Sequence, residues 1–211
     1  MHRTVTYTRR RADAVLAAVG LAVVLAAALV ARSGTVPGPE EWVFRRLNEL
    51  PGWLYPIGWP FMQLGNLAFG GVVALVAAGF RRWRLAGAAI IVTIGKLAAE
   101  RAVKSVVHRQ RPWTSIGDIT ARGDVPHHGW SFPSGHAVLL AGLATVVVPY
   151  LPRRVRWIPW VLVAANAVMR VYVGAHNPLD VVAGTGLGLT VGALANLVVA
   201  VPVDRADDPV T

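Results

Sequence analysis

The chain has 211 residues and no cysteine, which excludes disulfides and thiolate chemistry. With 55% hydrophobic and 15% charged residues it is too oily for an ordinary soluble domain, and its apolar residues come in blocks, as in a membrane protein. A net charge of +10 would suggest nucleic acid in a soluble protein, but here the basic residues lie between apolar blocks and read as topology signals, so no nucleic-acid partner is expected.

In chain order, the first apolar block runs from Ala12 to Ala31 behind Arg9, Arg10 and Arg11. Its apolar run exceeds the about 7–15 residues of a secretory signal core, so it reads as a retained helix rather than a leader. Next comes EEWVFRRLNEL (40–50), with Trp42, Val43, Leu47 and Leu50 as its apolar positions. It reads as a short amphipathic helix in the interface, the alternative being a plain loop with aromatic anchors. Trp53, Tyr55 and Trp59 would then lie at headgroup depth. Block two spans Phe61 to Phe80, and block three Leu85 to Val103 after the linker RRWR (81–84). Block four runs from His136 to Tyr150, block five from Trp157 to Val173 after RRVR (153–156), and block six from Leu179 to Val201. With flanks, each reaches the roughly 17–25 residues needed to cross a bilayer. The expected fold is an all-α integral membrane bundle of six transmembrane helices, with a short interfacial helix between the first two. Residues 1–203 form one domain, and the polar tail 204–211 is expected to be disordered.

With six spans, Arg9–Arg11, RRWR and RRVR all fall on one side, cytoplasmic by the positive-inside rule, and both termini are inside. The other side carries residues 32–60, residues 104–135 and the link around His176. That side is nevertheless basic, at Lys104, Arg109 and Arg111, which calls for a reason other than topology.

Three polar stretches on that side stand out. In KSVVHRQRP (104–112), Lys104, His108 and Arg111 are spaced for one face of a helix end, and Glu100 is placed to pair with Lys96 or Lys104 as a support. Taken alone, such a cluster is also what headgroup binding at a helix end looks like. In PSGH (133–136), Ser134 can cap a helix, Gly135 admits close approach, and His136 lies on the first turn beside amides able to cradle an anion. In MRVYVGAHNPLD (169–180), Asn177 can cap a helix starting at Pro178, and His176 lies within reach of Asp180. Lys104, Arg111 and Arg170 suit the oxygens of a phosphoryl group. One histidine could attack phosphorus while the other protonates a leaving oxygen, and the pairing with Asp180 favours His176 as nucleophile and His136 as acid. No acidic cluster suggests Mg²⁺ and no three-histidine set suggests zinc, so no metal or cofactor is expected. The loop 113–130 adds Asp118, Arg122, Asp124, His127 and His128, weaker candidates for a headgroup or second phosphate.

These stretches resemble the three motifs of the type 2 phosphatidic acid phosphatase superfamily, Lys-x6-Arg-Pro, Pro-Ser-Gly-His and Ser-Arg-x5-His-x3-Asp, in order and with matching spacing. The resemblance implies that Lys104, Arg111 and Arg170 grip phosphate with help from Ser134 and Gly135. It also implies that His176, oriented by Asp180, forms a phosphohistidine that water hydrolyses, and that His136 protonates the departing group. Met169 replaces the first serine of the third motif and cannot donate a hydrogen bond. The implied enzyme is a lipid phosphatase of the bacterial inner membrane whose site faces the periplasm or exterior. The leading substrate is a polyprenyl diphosphate cleaved to the monophosphate. Phosphatidic acid or phosphatidylglycerol phosphate is the alternative, and a non-catalytic lipid-binding or transport protein is the reading from another class.

Overall fold

The computed structural model describes residues 6–123 and 125–203; the tail from Asp204 lies outside them. Its elements are β1 (Tyr7–Thr8), α1 (Arg11–Ala31), α2 (Gly38–Asn48), α3 (Leu54–Gln63), α4 (Leu67–Gly79), α5 (Trp83–Lys104), the single turn α6 (Pro112–Ser115), α7 (Gly135–Val147), α8 (Ile158–Tyr172), α9 (Pro178–Val199) and β2 (Val201–Pro202). The two short strands pair antiparallel and tie the described ends of the chain together.

Helix α9 is the central post. Gly184, Gly188 and Gly192 recur every four residues, so they share one face, and α7 lies against it. A Cβ on Gly184 would come within 2.5 Å of the Ser134 carbonyl oxygen, and one on Gly192 within 2.7 Å of the Gly142 oxygen. On another face of α9, Gly186 meets Gly20 of α1 just as closely. Small residues let these backbones touch, and polar groups lock the contacts. Asn196 donates to Asp13 of α1 at 3.1 Å and to the Thr145 carbonyl of α7 at 3.2 Å. Helices α4, α5 and α7 share an alanine- and valine-rich core that includes Ala74, Ala89, Val92 and Leu139.

The six-span expectation fails on helix length and charge. Among the described residues only α1 and α9 are long and apolar enough to cross a membrane, and a third crossing exists if α3 and α4 count as one broken span. Block two is not one helix: α3 and α4 meet at 58°, and Asn66 caps α4 by accepting from Ala68 N. Block three has the length, as α5, but Lys96, Glu100, Arg101 and Lys104 charge its last turns. Block four yields 13 helical residues before a 3₁₀ turn containing Pro149, and block five yields 15. Summed hydropathy registered the oil in these blocks and missed the breaks.

The amphipathic helix forms, on a different face from the one expected. Its buried stripe is Glu40, Phe44 and Asn48, spaced four apart, while Trp42 is 62% exposed. Two polar residues point inward because partners await them. Asn48 Nδ2 donates to the Thr120 and Tyr172 carbonyls, and its Oδ1 accepts from Thr120 N at 2.9 Å.

Arg9, Arg82 and Arg84 gather at one end. Arg9 donates to the Leu197 carbonyl, Arg82 to that of Tyr150 and Arg84 to that of Val199. The other end holds the C-termini of α5 and α8 and the N-termini of α7 and α9, and there the three polar stretches meet.

Candidate active site

Residues 169–180 fold as the last turn of α8, a tight link and the first turn of α9. The link turns at Gly174 (φ 80°), a conformation in which a side chain would be strained, and the Arg170 carbonyl accepts from Ala175 N and His176 N. Pro178 starts α9 with its fixed φ. Asp180 closes the turn, since its Oδ2 accepts from Asn177 N at 2.8 Å. The same oxygen lies 3.6 Å from His176 Nδ1, facing it and too long for a hydrogen bond. His176 is 3% exposed and Asp180 is fully buried. Burial first, then the positive charges of Arg170, Arg111 and Lys104, hold the His176 ring well below the usual imidazole range. The imidazole is therefore neutral near pH 7, with Nδ1 toward Asp180.

Ser134 starts α7, and its N–H donates to the Asp180 carbonyl at 2.9 Å, docking the two helix starts together. Contrary to the capping expectation, its hydroxyl does not cap α7; the buried Oγ has no hydrogen-bond partner. Arg170 Nε is likewise buried without one. Polar atoms this deep are normally paired, so the cluster offers unused hydrogen-bonding groups beside its cations. Gly135 makes its close approach to Glu100: a Cβ there would lie 2.5 Å from the carboxylate. Glu100 pairs with both Lys96 (2.7 Å) and Lys104 (2.6 Å), as expected of a support. His136 lies among the charges of Arg170, His176, Lys96 and Glu100. It also packs against Gly65 in the α3–α4 break, where a Cβ would meet its ring carbon. Arg111 Nε donates to the His128 carbonyl at 3.0 Å and Nη1 to that of Ala175 at 2.9 Å.

The structure thus brings together Lys104, Arg111, Ser134, Gly135, His136, Arg170, His176 and Asp180, with Glu100 behind Lys104. The weaker candidates go elsewhere. Helix α5 ends at Lys104, and residues 107–111 are not helical, so the helical-face argument for His108 does not hold. Alternation buries Val107, Arg109 and Arg111 and exposes His108, whose ring lies 4.8 Å from that of Trp130. His127 and His128 are exposed, and His127 stacks on Trp113. Arg122 donates to the Tyr172 and Leu50 carbonyls and covers the Tyr172 ring, so it acts as a clamp. Among the described residues no three His, Cys, Asp or Glu side chains form a metal-holding group.

Two residues escaped the sequence reading. Arg109, noted there as part of a basic link, is fully buried and forked onto Glu40 and Asp180. Asn166, one helical turn before Arg170, is fully buried, donates to the Phe61 carbonyl and has an unpartnered Oδ1. An asparagine inside an apolar helix was the available signal for the second. The first was legible only once 107–111 was known to be extended.

Met169 faces away from this cluster. A Cβ on Gly58 of α3 would collide with its Sδ and Cε, so the thioether fills the space that this glycine leaves. It lines an apolar cavity of about 440 Å³ between α3 and α8. Met169→Ser is therefore expected to lower the unfolding midpoint in detergent, by about 1–2 kcal/mol of lost packing, and to leave turnover within about threefold. A large change in rate at unchanged stability would place position 169 in the chemistry.

Comparison with known proteins gives a consistent picture. A model of the PAP2 superfamily matches residues 68–202. A decaprenylphosphoryl-5-phosphoribose phosphatase from Mycobacterium tuberculosis is 38% identical over 148 residues, covering 67% of this chain and 72% of that protein. An undecaprenyl-diphosphatase from Sulfolobus acidocaldarius is 31% identical over 121 residues, covering 55% of this chain and 56% of that one. Two crystal structures share the fold. A PAP2-type phosphatidylglycerolphosphate phosphatase from Bacillus subtilis has a TM-score of 0.66 at 20% identity, covering 84% of this chain and 94% of its own. LpxE from Aquifex aeolicus has a TM-score of 0.61 at 24% identity, covering 72% and 91%.

Proposed function

The chain belongs to the PAP2 superfamily as a membrane lipid phosphatase, and from that premise we propose that it removes phosphate from a polyprenyl-linked lipid through a phosphohistidine on His176. The observation that carries this reading is the single buried cluster in which three cations, an unpartnered serine hydroxyl and a neutral histidine converge. Lys104, Arg111 and Arg170 hold the phosphoryl oxygens, and Ser134 Oγ donates to one of them. His176 Nε2 attacks phosphorus as the bond to the leaving oxygen breaks, and His136 gives that oxygen a proton. Water then attacks phosphorus, His136 takes its proton, and inorganic phosphate leaves His176. The cations do the charge stabilisation that a metal would otherwise supply, so the reaction runs without one.

Polyprenyl carriers are favoured because the named substrates of two curated relatives share that chain. The diphosphate now has less behind it, since Arg122, the cation suggested for a second phosphate, is committed to carbonyls and a ring. A panel tests this reading: a prenyl diphosphate, decaprenylphosphoryl-5-phosphoribose, phosphatidic acid and phosphatidylglycerol phosphate, each in detergent with EDTA. Phosphate release from the prenyl lipids ahead of the glycerolipids is expected. Preference for a glycerolipid would reassign the substrate, and a need for added Mg²⁺ would remove the histidine mechanism.

The charge distribution supports a bacterial inner-membrane location with the arginine-rich end cytosolic and the site on the outer face. The chain has no native cysteine, so His128→Cys adds a lone reporter at an exposed position beside the site. Labelling by a membrane-impermeant maleimide is expected from outside; labelling only from the cytosolic side would invert the orientation.

A further inference from the structure

Behind the His176–Asp180 pair lies a second layer of charge that the reaction as described does not use. Arg109 is 0% exposed, and its fork closes on Glu40 from both nitrogens: Nη1 to Oε1 at 2.9 Å and Nη2 to Oε2 at 2.5 Å. Nη1 also reaches Asp180 Oδ1 at 3.2 Å. Glu40 Oε1 accepts in addition from Leu179 N at 2.8 Å, in the first turn of α9. Two carboxylates and one guanidinium thus share a buried site. Burial alone would depress the Arg109 guanidinium, but Glu40 and Asp180 outweigh it and hold its pKa above the usual value. Glu40 comes from α2, which precedes the region 68–202 matched by the family model.

We infer that Glu40 and Arg109 are positioning residues for the reaction, fixing the Asp180 carboxylate behind His176 and leaving one net negative charge there. This rests on the phosphohistidine reading. Asp180 has one oxygen held by Arg109 and the other held by Asn177 N, so the latter is presented to His176 Nδ1 and cannot rotate away. The charge matters as much as the geometry. Three cations stand on the substrate side of His176 and oppose positive charge on its ring. When Nε2 forms its bond to phosphorus and the electron pair of the broken bond goes to the leaving oxygen, the imidazole that keeps its Nδ1 proton becomes cationic. Arg109 with Asp180 alone would offset none of that charge; Glu40 makes the trio net negative. A helix that reads as a membrane-surface element is thereby part of the catalytic apparatus.

The test uses the full chain in detergent, with Glu40→Gln, Glu40→Asp and His176→Ala assayed in parallel for kcat, KM and inhibition by inorganic phosphate. Glu40→Gln is expected to lower kcat by about tenfold or more while KM and the phosphate inhibition constant stay within about twofold, because the phosphate-gripping side chains are untouched. Glu40→Asp is expected to recover part of the loss. A purely architectural role predicts another pattern, in which kcat and the stoichiometry of bound orthovanadate fall together, and that result would overturn the inference. Glu40→Gln leaves the Arg109 charge buried with a weaker partner, so if it does not fold, Glu40→Gln with Arg109→Met is read in its place; that pair keeps one net negative charge at Asp180 and removes only its anchor, so the kcat loss expected of it at unchanged KM comes from positioning alone. Wild-type kcat in whichever variant folds also overturns the inference. An active His176→Ala variant would instead remove the phosphohistidine reading on which it stands.

Discussion

Replacing His176 by alanine is expected to abolish phosphate release, by about 10³-fold or more, while the helical circular-dichroism spectrum persists. The fold tolerates the change because the ring makes no hydrogen bond that holds the link: Nδ1 is unpartnered, and Gly174, Pro178 and the Asp180–Asn177 bond set the local backbone. The proposed chemistry does not tolerate it, because the nucleophile paired with Asp180 is then missing from among Lys104, Arg111 and Arg170. The state of the ring is a second observable. Its pKa lies well below 6.5, so as pH falls through 6.5 the ring stays neutral, and it protonates, losing its nucleophilic lone pair, only at lower pH. Nitrogen chemical shifts of labelled histidine should show His176 neutral at pH 6. A His176 ring that titrates in the ordinary imidazole range would mean the site is wetter and less positive than its packing implies. Turnover near that of the wild type in His176→Ala would end its candidacy as nucleophile.

The sequence disclosed which polar residues gather at one end of this chain better than it disclosed the helices that carry them. Spacing gave away His176 and Asp180 because both lie within one local turn, where i, i+4 separation translates directly into contact. PSGH was legible because helix starts have a local grammar. His108 failed for the converse reason: the same arithmetic was applied beyond Lys104, where the helix has ended and the period is two. That one slip exchanged an exposed histidine for the buried Arg109. Glu40 was hidden by its neighbours. In EEWVFRRLNEL the apolar residues drew the buried face toward Trp42, and only tertiary pairing with Arg109 and Leu179 N shows why an acid turns inward. The six-helix expectation failed through averaging, since hydropathy sums over Phe61 to Phe80 or His136 to Tyr150 register neither the break at Asn66 nor the turn at Pro149. The glycines of α9 were visible as small residues, but their assignment to α7 and α1 required the fold.

Gly135→Ala is expected to cost about 100-fold in kcat, against the sign of helix propensity. Gly135 opens α7 with ordinary helical backbone rather than a left-handed one, so alanine should by itself favour the helix. The obstacle is Glu100, whose Oε2 would lie 2.5 Å and Cδ 2.8 Å from the new methyl. A free carboxylate would swing aside at little cost. This one is held by Lys96 at 2.7 Å and Lys104 at 2.6 Å, so it moves only by releasing a lysine or by pushing back the turn that carries Ser134 and His136. Either shift misplaces a group aimed at the phosphoryl oxygens or the leaving oxygen, and displacement on the order of 1 Å is enough for a loss of that size. A double-mutant cycle isolates the cause. Glu100→Ala removes the obstructing carboxylate, so adding Gly135→Ala to it should cost far less than adding it to the wild type. Additive losses would mean that Gly135 matters for another reason, such as approach of the phosphate itself to the first amides of α7.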